Sequence, residues 1–478
     1  MDISLNPEII AVIVVLFYGL AIVSAIDAVL KTRTAQGSIA WLVSLLTLPY
    51  LSVPLYVVFG RNRFDGYARE RQQIEALAEA KLKDTRNELL EFRASDANAA
   101  FYRSLNLLAR MPTVRGNSCQ LLINGKATFD SIEEGLRGAE HYILFQFYII
   151  RDDALGQRLG SVLAAKARAG VDVHVLYDEL GSAGFGRSEL CLSLQNAGVK
   201  LAAFNTTQGR RNRFQLNFRN HRKVVVVDST YAWIGGHNVG IEYLGENPKR
   251  GGWRDTHLKL QGPAVIGAEL IFATDWLWAR REQLSIDWNL EREAPGSSSV
   301  LLFPSDPASE FEEAGLMYHQ IISQSRERIW IASPYFVPDR GIIAALQLAA
   351  LRGVDVRVMI PDRADGPVVG MANWSFTKEL LPAGVAVYRY EPAFMHQKVL
   401  LLDRELAGVG TANFDNRSFR LNFEVTALVH DTVFCDEVEK MLEDDFSHSR
   451  RVTAEELLAK PFWFPLACAA ARLMAPVL

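Results

Sequence analysis

His221-Arg222-Lys223, the run Val224 to Val227, Asp228, six further residues and Gly235-Gly236-His237-Asn238 form a pattern that the chain writes twice. The second copy is His396-Gln397-Lys398, Val399 to Leu402, Asp403, six residues and Gly410-Thr411-Ala412-Asn413. His and Asn stand 17 positions apart in both. A lone His in a strand is usually structural, but the same spacing twice in one chain marks a repeated site. On a strand, residues i and i+2 share a face, so His221 points with Lys223 and His396 with Lys398. Asp228 and Asp403 lie an odd seven positions on, which turns them away to brace the site. Gly235 and Gly410 open turns in which backbone and Asn approach closely.

Working outward, Gly170-Val171-Asp172-Val173-His174-Val175 recurs as Gly353-Val354-Asp355-Val356-Arg357-Val358, and Ala197-Gly198-Val199 as Ala383-Gly384-Val385. Each long match follows an Ala-rich stretch of helical period and leads into a β-branched run, giving strand–helix–strand. Phe147-Tyr148 and Pro334-Tyr335 end matching strands. The fold class is therefore α/β, a duplicated unit with two mixed sheets. Residues 111–295 form its first half and 296–478 its second. A charged helical connector at 61–110 and a membrane anchor at 1–60 precede them.

The anchor reading rests on two uncharged runs, Ile9 to Ile26 and Ile39 to Phe59. The first reaches about 27 Å as a helix, near the thickness of a bilayer core. Pro49 and Pro54 kink the second, which either crosses or re-enters. Asp2 and Glu8 without a basic n-region argue against a cleaved signal peptide. Arg61, Arg63, Arg69 and Arg71 follow the second run, against Lys31 and Arg33 in the connection. The positive-inside rule then predicts a multi-pass membrane protein with its large part on the cytoplasmic face. Hydrophobic residues are 49% and charged residues 22% of the chain, which excludes disorder as its main state. The net charge of −4 excludes a polybasic nucleic-acid coat and supports no nucleic-acid partner. Cys119, Cys191, Cys435 and Cys468 are scattered without a CxxC pair and fit a reducing compartment. Nothing in the sequence sets an oligomeric state.

Two His, two Lys and two Asn brought together make a cationic, donor-rich pocket suited to a phosphodiester. Lys223, Lys398, Asn238 and Asn413 stabilise charge on its non-bridging oxygens. One imidazole attacks phosphorus and the other protonates the departing alcohol. No carboxylate cluster with metal spacing lies nearby, so the expected reaction is phosphoryl transfer with no metal and no other cofactor.

Both motifs resemble the paired HKD motifs of the phospholipase D superfamily, and the likeness runs from about Phe101 to the end. The arrangement is most similar to bacterial cardiolipin synthases. Gln146-Phe147-Tyr148, Trp253-Arg254-Asp255-Thr256-His257, Ser333-Pro334-Tyr335-Phe336-Val337-Pro338 and Asn413-Phe414-Asp415-Asn416-Arg417-Ser418 carry that likeness, together with the hydrophobic N-terminus. The resemblance implies one active site shared pseudo-symmetrically by two phospholipase D-like halves. It implies a phosphohistidine on His221, with His396 as general acid and then base, and Asp255 and Glu424 orienting the histidines. Asp255 follows Asn238 by 17 residues, whereas Glu424 follows Asn413 by 11, which makes Asp255 the weaker match. Gly236 stands where family members often have Ser. The implied reaction joins two phosphatidylglycerols into cardiolipin, releasing glycerol without a nucleotide; the partners are this anionic phospholipid and the bilayer.

The stretch Arg210 to Lys223 holds six basic residues and no acid, so Arg210, Arg211 and Arg213 are expected at anionic headgroups. Phe462-Trp463-Phe464-Pro465 opens a C-terminal segment read either as an interfacial helix or as a helix packed on the body. Three rival readings share the motifs: a hydrolase in which water replaces the second lipid, another phosphatidyltransferase, and a scaffold that has kept the fold without catalysis. Filled His, Lys and Asp positions in both copies argue against the last.

Overall fold

The computed structural model describes residues 7–32, 35–60, 90–94, 99–204, 217–246, 252–287 and 293–475. The duplication is written in the strand order. In the first half the neighbours run Val114–Ile123, Thr256–Gln261, Tyr231–Gly235, Val224–Val227, Tyr142–Phe147, Asp172–Asp178, Lys200–Phe204. In the second they run Ser298–Ser305, Asn422–His430, Leu406–Gly410, Val399–Leu402, Arg328–Ala332, Asp355–Pro361, Ala386–Tyr390, with Ser449–Arg451 added at the edge. The last three strands of each seven are parallel neighbours and the rest antiparallel.

The halves do not keep separate sheets as the repeat predicts. The ten-residue strand Val114–Ile123 serves both: Ser118 to Ile123 pair with Thr256–Gln261, while Val114 and Asn117 pair with Val300 and Ser298. Gly116, at φ 88°, sits at the irregularity between the two pairings. Among the described residues one sheet of 16 strands results, the sixteenth being the short strand Arg219–Asn220 beside Asn422–His430. It turns back so that Leu406–Gly410 approaches Tyr231–Gly235 and Thr256–Gln261.

Local sequence explains the repeated units. Asp153 caps Ala154–Arg168 by accepting from the Leu155 and Gly156 N–H groups, and Asp339 caps Arg340–Leu351 through the Ile342 N–H. Gly170 and Gly353, at φ 96° and 91°, end these helices in a left-handed turn that feeds the next strand. Tyr142–Phe147 is buried at every position, as a strand covered on both faces must be. One core cluster draws on both halves, from Trp276 and Leu260 to Leu302 and Val425. The nearly all-buried helix Val265–Arg280 lies within it.

Only Pro7–Lys31 is long and apolar enough to cross a membrane among the described residues. The second apolar run is not one helix. It divides at Leu48 into Ala35–Thr47 and Pro49–Phe59, because Pro49 starts a new helix and Leu48 leaves helical geometry at φ −130°, ψ 56°. Ala21, Ala25, Ala28, Leu45, Val53 and Tyr56 pack the three helices together. The Tyr56 hydroxyl donates to Asp27 at 3.0 Å, so this carboxylate is held among the helices and faces Lys31 at 2.5 Å. Most of the connector lies outside the described residues. Its last helix, Ala99–Ala109, buries Leu105 and Ala109 against the second half. At the other end Phe464–Arg472 packs on Pro367–Leu380, with Phe464 against Trp374, while Phe462 is 96% exposed. The C-terminus is thus a packed helix with an exposed aromatic step before it.

Candidate active site

The motif strands Val224–Val227 and Val399–Leu402 are buried throughout, each valine contributing roughly 1.5–3 kcal/mol. That burial fixes their register, and a one-residue slip would reverse the faces of His and Lys. Before each strand lies a two-residue strand that pairs with the opposite half. Arg219–Asn220 runs parallel to Asn422–Phe423, and Phe394–Met395 runs parallel to Trp253–Arg254. The His221 N–H then donates to the Phe423 carbonyl at 2.9 Å, and the His396 N–H to the Arg254 carbonyl at 2.7 Å.

This crossing brings each histidine to a carboxylate of the other half. Glu424 lies 2.9 Å from His221 Nδ1, and Asp255 lies 2.7 Å from His396 Nδ1. Asp255 is the true counterpart of Glu424. Gly235 pairs with His257 as Gly410 pairs with Thr426, which places both acids two residues before the paired position. Six extra residues between Asn238 and Asp255 hid this in the residue count. Gly236 is explained by the same acid, since a Cβ there would stand 2.0 Å from Asp255 Oδ1. At the matching position Thr411 donates its hydroxyl to Glu424 at 2.6 Å. Ser418 Oγ (2.8 Å) and Asn422 Nδ2 (3.0 Å) also donate to Glu424.

His221, His396, Asn238 and Asn413 line one pocket of about 310 Å³ together with Arg219 and Arg417. Asn238 uses its amide internally, accepting from the Ile149 N–H and donating to the Tyr243 hydroxyl. The Asn413 and Asn422 Oδ1 atoms are buried acceptors with no donor among the described residues. Lys223 and Lys398 lie behind the histidines, and each donates to the carbonyl of its own histidine, Lys223 at 2.6 Å.

Asp228 and Asp403 do not line the pocket. Both sit at positive φ, 49° and 50°, at the far end of the motif strands. Asp228 accepts from the Glu140, His141 and Tyr142 N–H groups, and Asp403 from those of Arg326, Glu327 and Arg328. Each carboxylate thereby ties the start of a neighbouring strand to the motif. Arg210, Arg211 and Arg213 lie outside the described residues. His237 and His257 are fully buried with their Nδ1 atoms 3.0 Å apart. Among the described residues no group of three or more His, Cys, Asp or Glu side chains could hold a metal ion.

The electrostatics suit a neutral nucleophile. Burial pulls the His221 imidazole down to about 4, against the pull of Glu424. Burial pushes Glu424 upward, but its contacts with His221, Lys223 and Thr411 outweigh this and hold the carboxyl below its ordinary range. A neutral His221 donating from Nδ1 to an ionised Glu424 leaves the Nε2 lone pair free to attack. Burial also lowers Lys398 to about 8, against the Asp255 and Glu424 carboxylates.

Sequence reasoning missed the aromatic wall. The ring of Trp253 lies 4.9 Å from that of His396, with Phe394 at 5.9 Å and Tyr243 at 6.4 Å. It also missed the middle residues of the motifs as clasps between the halves. Arg222 bonds Asp275 at 2.7 Å and reaches the Glu424 and Ser305 carbonyls. Gln397 and Arg254 share Asp445 in the same way. The signal was the motif's variable position, filled by a large polar residue in both copies.

Fold and site together define a phosphodiester-transferring enzyme with one histidine from each of two repeated halves. Residues 132–248 and 318–446 match the family described as cardiolipin synthase, PLD-like domain, and residues 19–61 match the phospholipase D-nuclease N-terminal family. Cardiolipin synthase A of Pseudomonas fluorescens strain Pf-5 is 45% identical over 99% of both chains. Cardiolipin synthase A of Pseudomonas aeruginosa strain LESB58 is 46% identical over 96% of this chain and 94% of its own. Phosphatidylserine synthase of Haemophilus influenzae Rd KW20 shares the fold at TM-score 0.61 and 17% identity, covering 80% of this chain and 100% of that one. The chain belongs to the bacterial cardiolipin synthases of the phospholipase D superfamily, and so to the phosphatidyltransferases.

Proposed function

We propose that the chain transfers a phosphatidyl group between two phosphatidylglycerols, giving cardiolipin and glycerol through a phosphohistidine on His221. The observation that carries this reading is the crossed pair of His–carboxylate contacts in one arginine-lined pocket. In the first step His221 Nε2 attacks phosphorus, the P–O bond to glycerol breaks, and His396 gives its proton to the departing oxygen. In the second, a hydroxyl of another phosphatidylglycerol loses its proton to His396 and attacks phosphorus, breaking the P–N bond. Arg219 and Arg417 hold the anionic phosphoryl oxygens in both steps.

The N-terminal helices carry the chain in the bacterial cytoplasmic membrane, with Pro7–Lys31 crossing and the broken pair Ala35–Thr47 and Pro49–Phe59 crossing or re-entering beside it. The catalytic body sits on the cytoplasmic face. Asn217 Nδ2 lies 3.4 Å from the Phe59 carbonyl, and the Asn217 carbonyl accepts from Arg417 at 2.6 Å, which supports a pocket mouth close to the bilayer. Arg210, Arg211 and Arg213 contact anionic headgroups there; their replacement by Gln should weaken liposome binding.

Product analysis in phosphatidylglycerol vesicles, without nucleotide or added metal, tests the reaction. Cardiolipin with equimolar glycerol, lost in His221→Ala and His396→Ala, is expected. Phosphatidic acid alone would mean that water wins the second step and the chain is a hydrolase.

A further inference from the structure

The two histidines stand in unlike surroundings, although the backbone repeats. Two residues before His221 is Arg219, and two before His396 is Phe394. Each faces a residue of the opposite half in the short parallel pairs: Asn422 beside Arg219, Trp253 beside Phe394. Four residues beyond the motif asparagines stand Arg417 in one copy and Glu242 in the other. All six line the pocket. The His221 side therefore carries two guanidiniums and an amide, with the Tyr148 ring 5.0 Å from that of His221. The His396 side carries two aromatic rings 5.0 Å apart and a carboxylate, and Tyr335 adds a second carboxylate by donating to Asp365 at 3.1 Å.

A phosphate belongs with the guanidiniums and is repelled by Glu242 and Asp365. What suits the His396 side is an uncharged group with C–H faces for the rings and hydroxyls for the carboxylates. Arg151 lies 3.2 Å from Glu242 and offsets its charge, which weakens both the attraction for an ammonium headgroup and the repulsion of a phosphate, and leaves an uncharged group favoured.

We propose that the His396 side of the pocket is a subsite for a neutral polyol, built from Trp253, Phe394, Glu242 and Asp365. It rests on the transferase reading and sharpens it. The glycerol that leaves in the first step and the glycerol headgroup that attacks in the second both occupy this subsite, because each exchanges a proton with His396. Holding a polyol there excludes water, the competing nucleophile.

The test uses the full chain in phosphatidylglycerol vesicles with labelled free glycerol, and measures three products: cardiolipin, labelled phosphatidylglycerol and phosphatidic acid. Phe394→Ala and Trp253→Ala are expected to lower the ratio of alcohol transfer to hydrolysis about tenfold, with total lipid consumption less affected. Phe394→Leu, which keeps an apolar filling, should show a smaller fall in the same ratio. Free glycerol and the lipid-borne headgroup are separated by whether labelled phosphatidylglycerol and cardiolipin decline together, as one shared subsite requires. An unchanged ratio in all three variants would overturn the subsite alone. Choline accepted in preference to glycerol would overturn it in favour of a cationic headgroup. A wild-type chain that transfers to no alcohol would overturn the transferase reading and the subsite with it.

Discussion

The strands that carry His221 and those that carry His396 repeat in order and register, yet the two sides of the pocket they open differ in kind. Around His221 the other half supplies Glu424 with Thr411, Ser418 and Asn422 as additional donors. Around His396 it supplies Asp255, which accepts from the Thr256 N–H at 2.8 Å, under the rings of Trp253 and Phe394. Duplication placed the two imidazoles, and divergence at the positions flanking them is what the proposed division of roles rests on. The lesson is that a repeat points to the site, and the places where the copies differ are where a difference in role is to be sought.

Neutralising the acids should break the comparison most. Glu424→Gln and Asp255→Asn are each expected to reduce turnover about 10²- to 10⁴-fold, the range for a lost acid–base arrangement. They should differ in the step affected: rapid-quench kinetics should show Glu424→Gln slowing phosphohistidine formation, while Asp255→Asn shifts the pH profile of proton transfer. Equal effects on one step would mean that the two sides are interchangeable.

A smaller effect is expected where the halves remain alike. Asp228→Ala or Asp403→Ala leaves three backbone N–H groups without their acceptor, costing about 1–3 kcal/mol of stability. Urea unfolding of the detergent-solubilised chain should show this, with turnover per folded molecule nearly unchanged. A loss of turnover without a loss of stability would return these aspartates to the chemistry.

The smallest effect at neutral pH lies in a pair that only the first half contains. Burial pulls His237 and His257 down to about 3, so the folded chain binds fewer protons than the unfolded one as pH falls from 6.5 towards 3. Their contribution is complete above pH 6.5 and is lost through that window. His257→Thr, which installs the residue type of Thr426, should flatten the dependence of Tm on pH between 6.5 and 4. An unchanged slope would place the titration elsewhere.

Much of the site was legible because strand parity and spacing are local. His221 with Lys223, His396 with Lys398, and the outward turn of Asp228 and Asp403 all follow from period two. Glu424 was legible by resemblance, and Asp255 only weakly, since six extra residues spoiled the count while strand pairing kept the position. The aromatic wall was not legible in that way. Phe394 belongs to no motif and Trp253 only to the segment quoted around Asp255, and they meet because two-residue strands pair across the halves. Aligning the copies and asking where their chemistry differs would have found both. The single sheet was hidden because one long strand, Val114–Ile123, serves both halves. The division of the second apolar run at Leu48 was foreshadowed by Pro49.

Trapping the covalent intermediate tests the central claim most directly. After a brief reaction with phosphatidylglycerol labelled in its phosphate, a base quench and peptide mapping by mass spectrometry should place the phosphatidyl group on His221 and leave His396 unlabelled. Label on His396 would exchange the roles assigned to the two sides, and cardiolipin formed with no labelled histidine would contradict the phosphohistidine route.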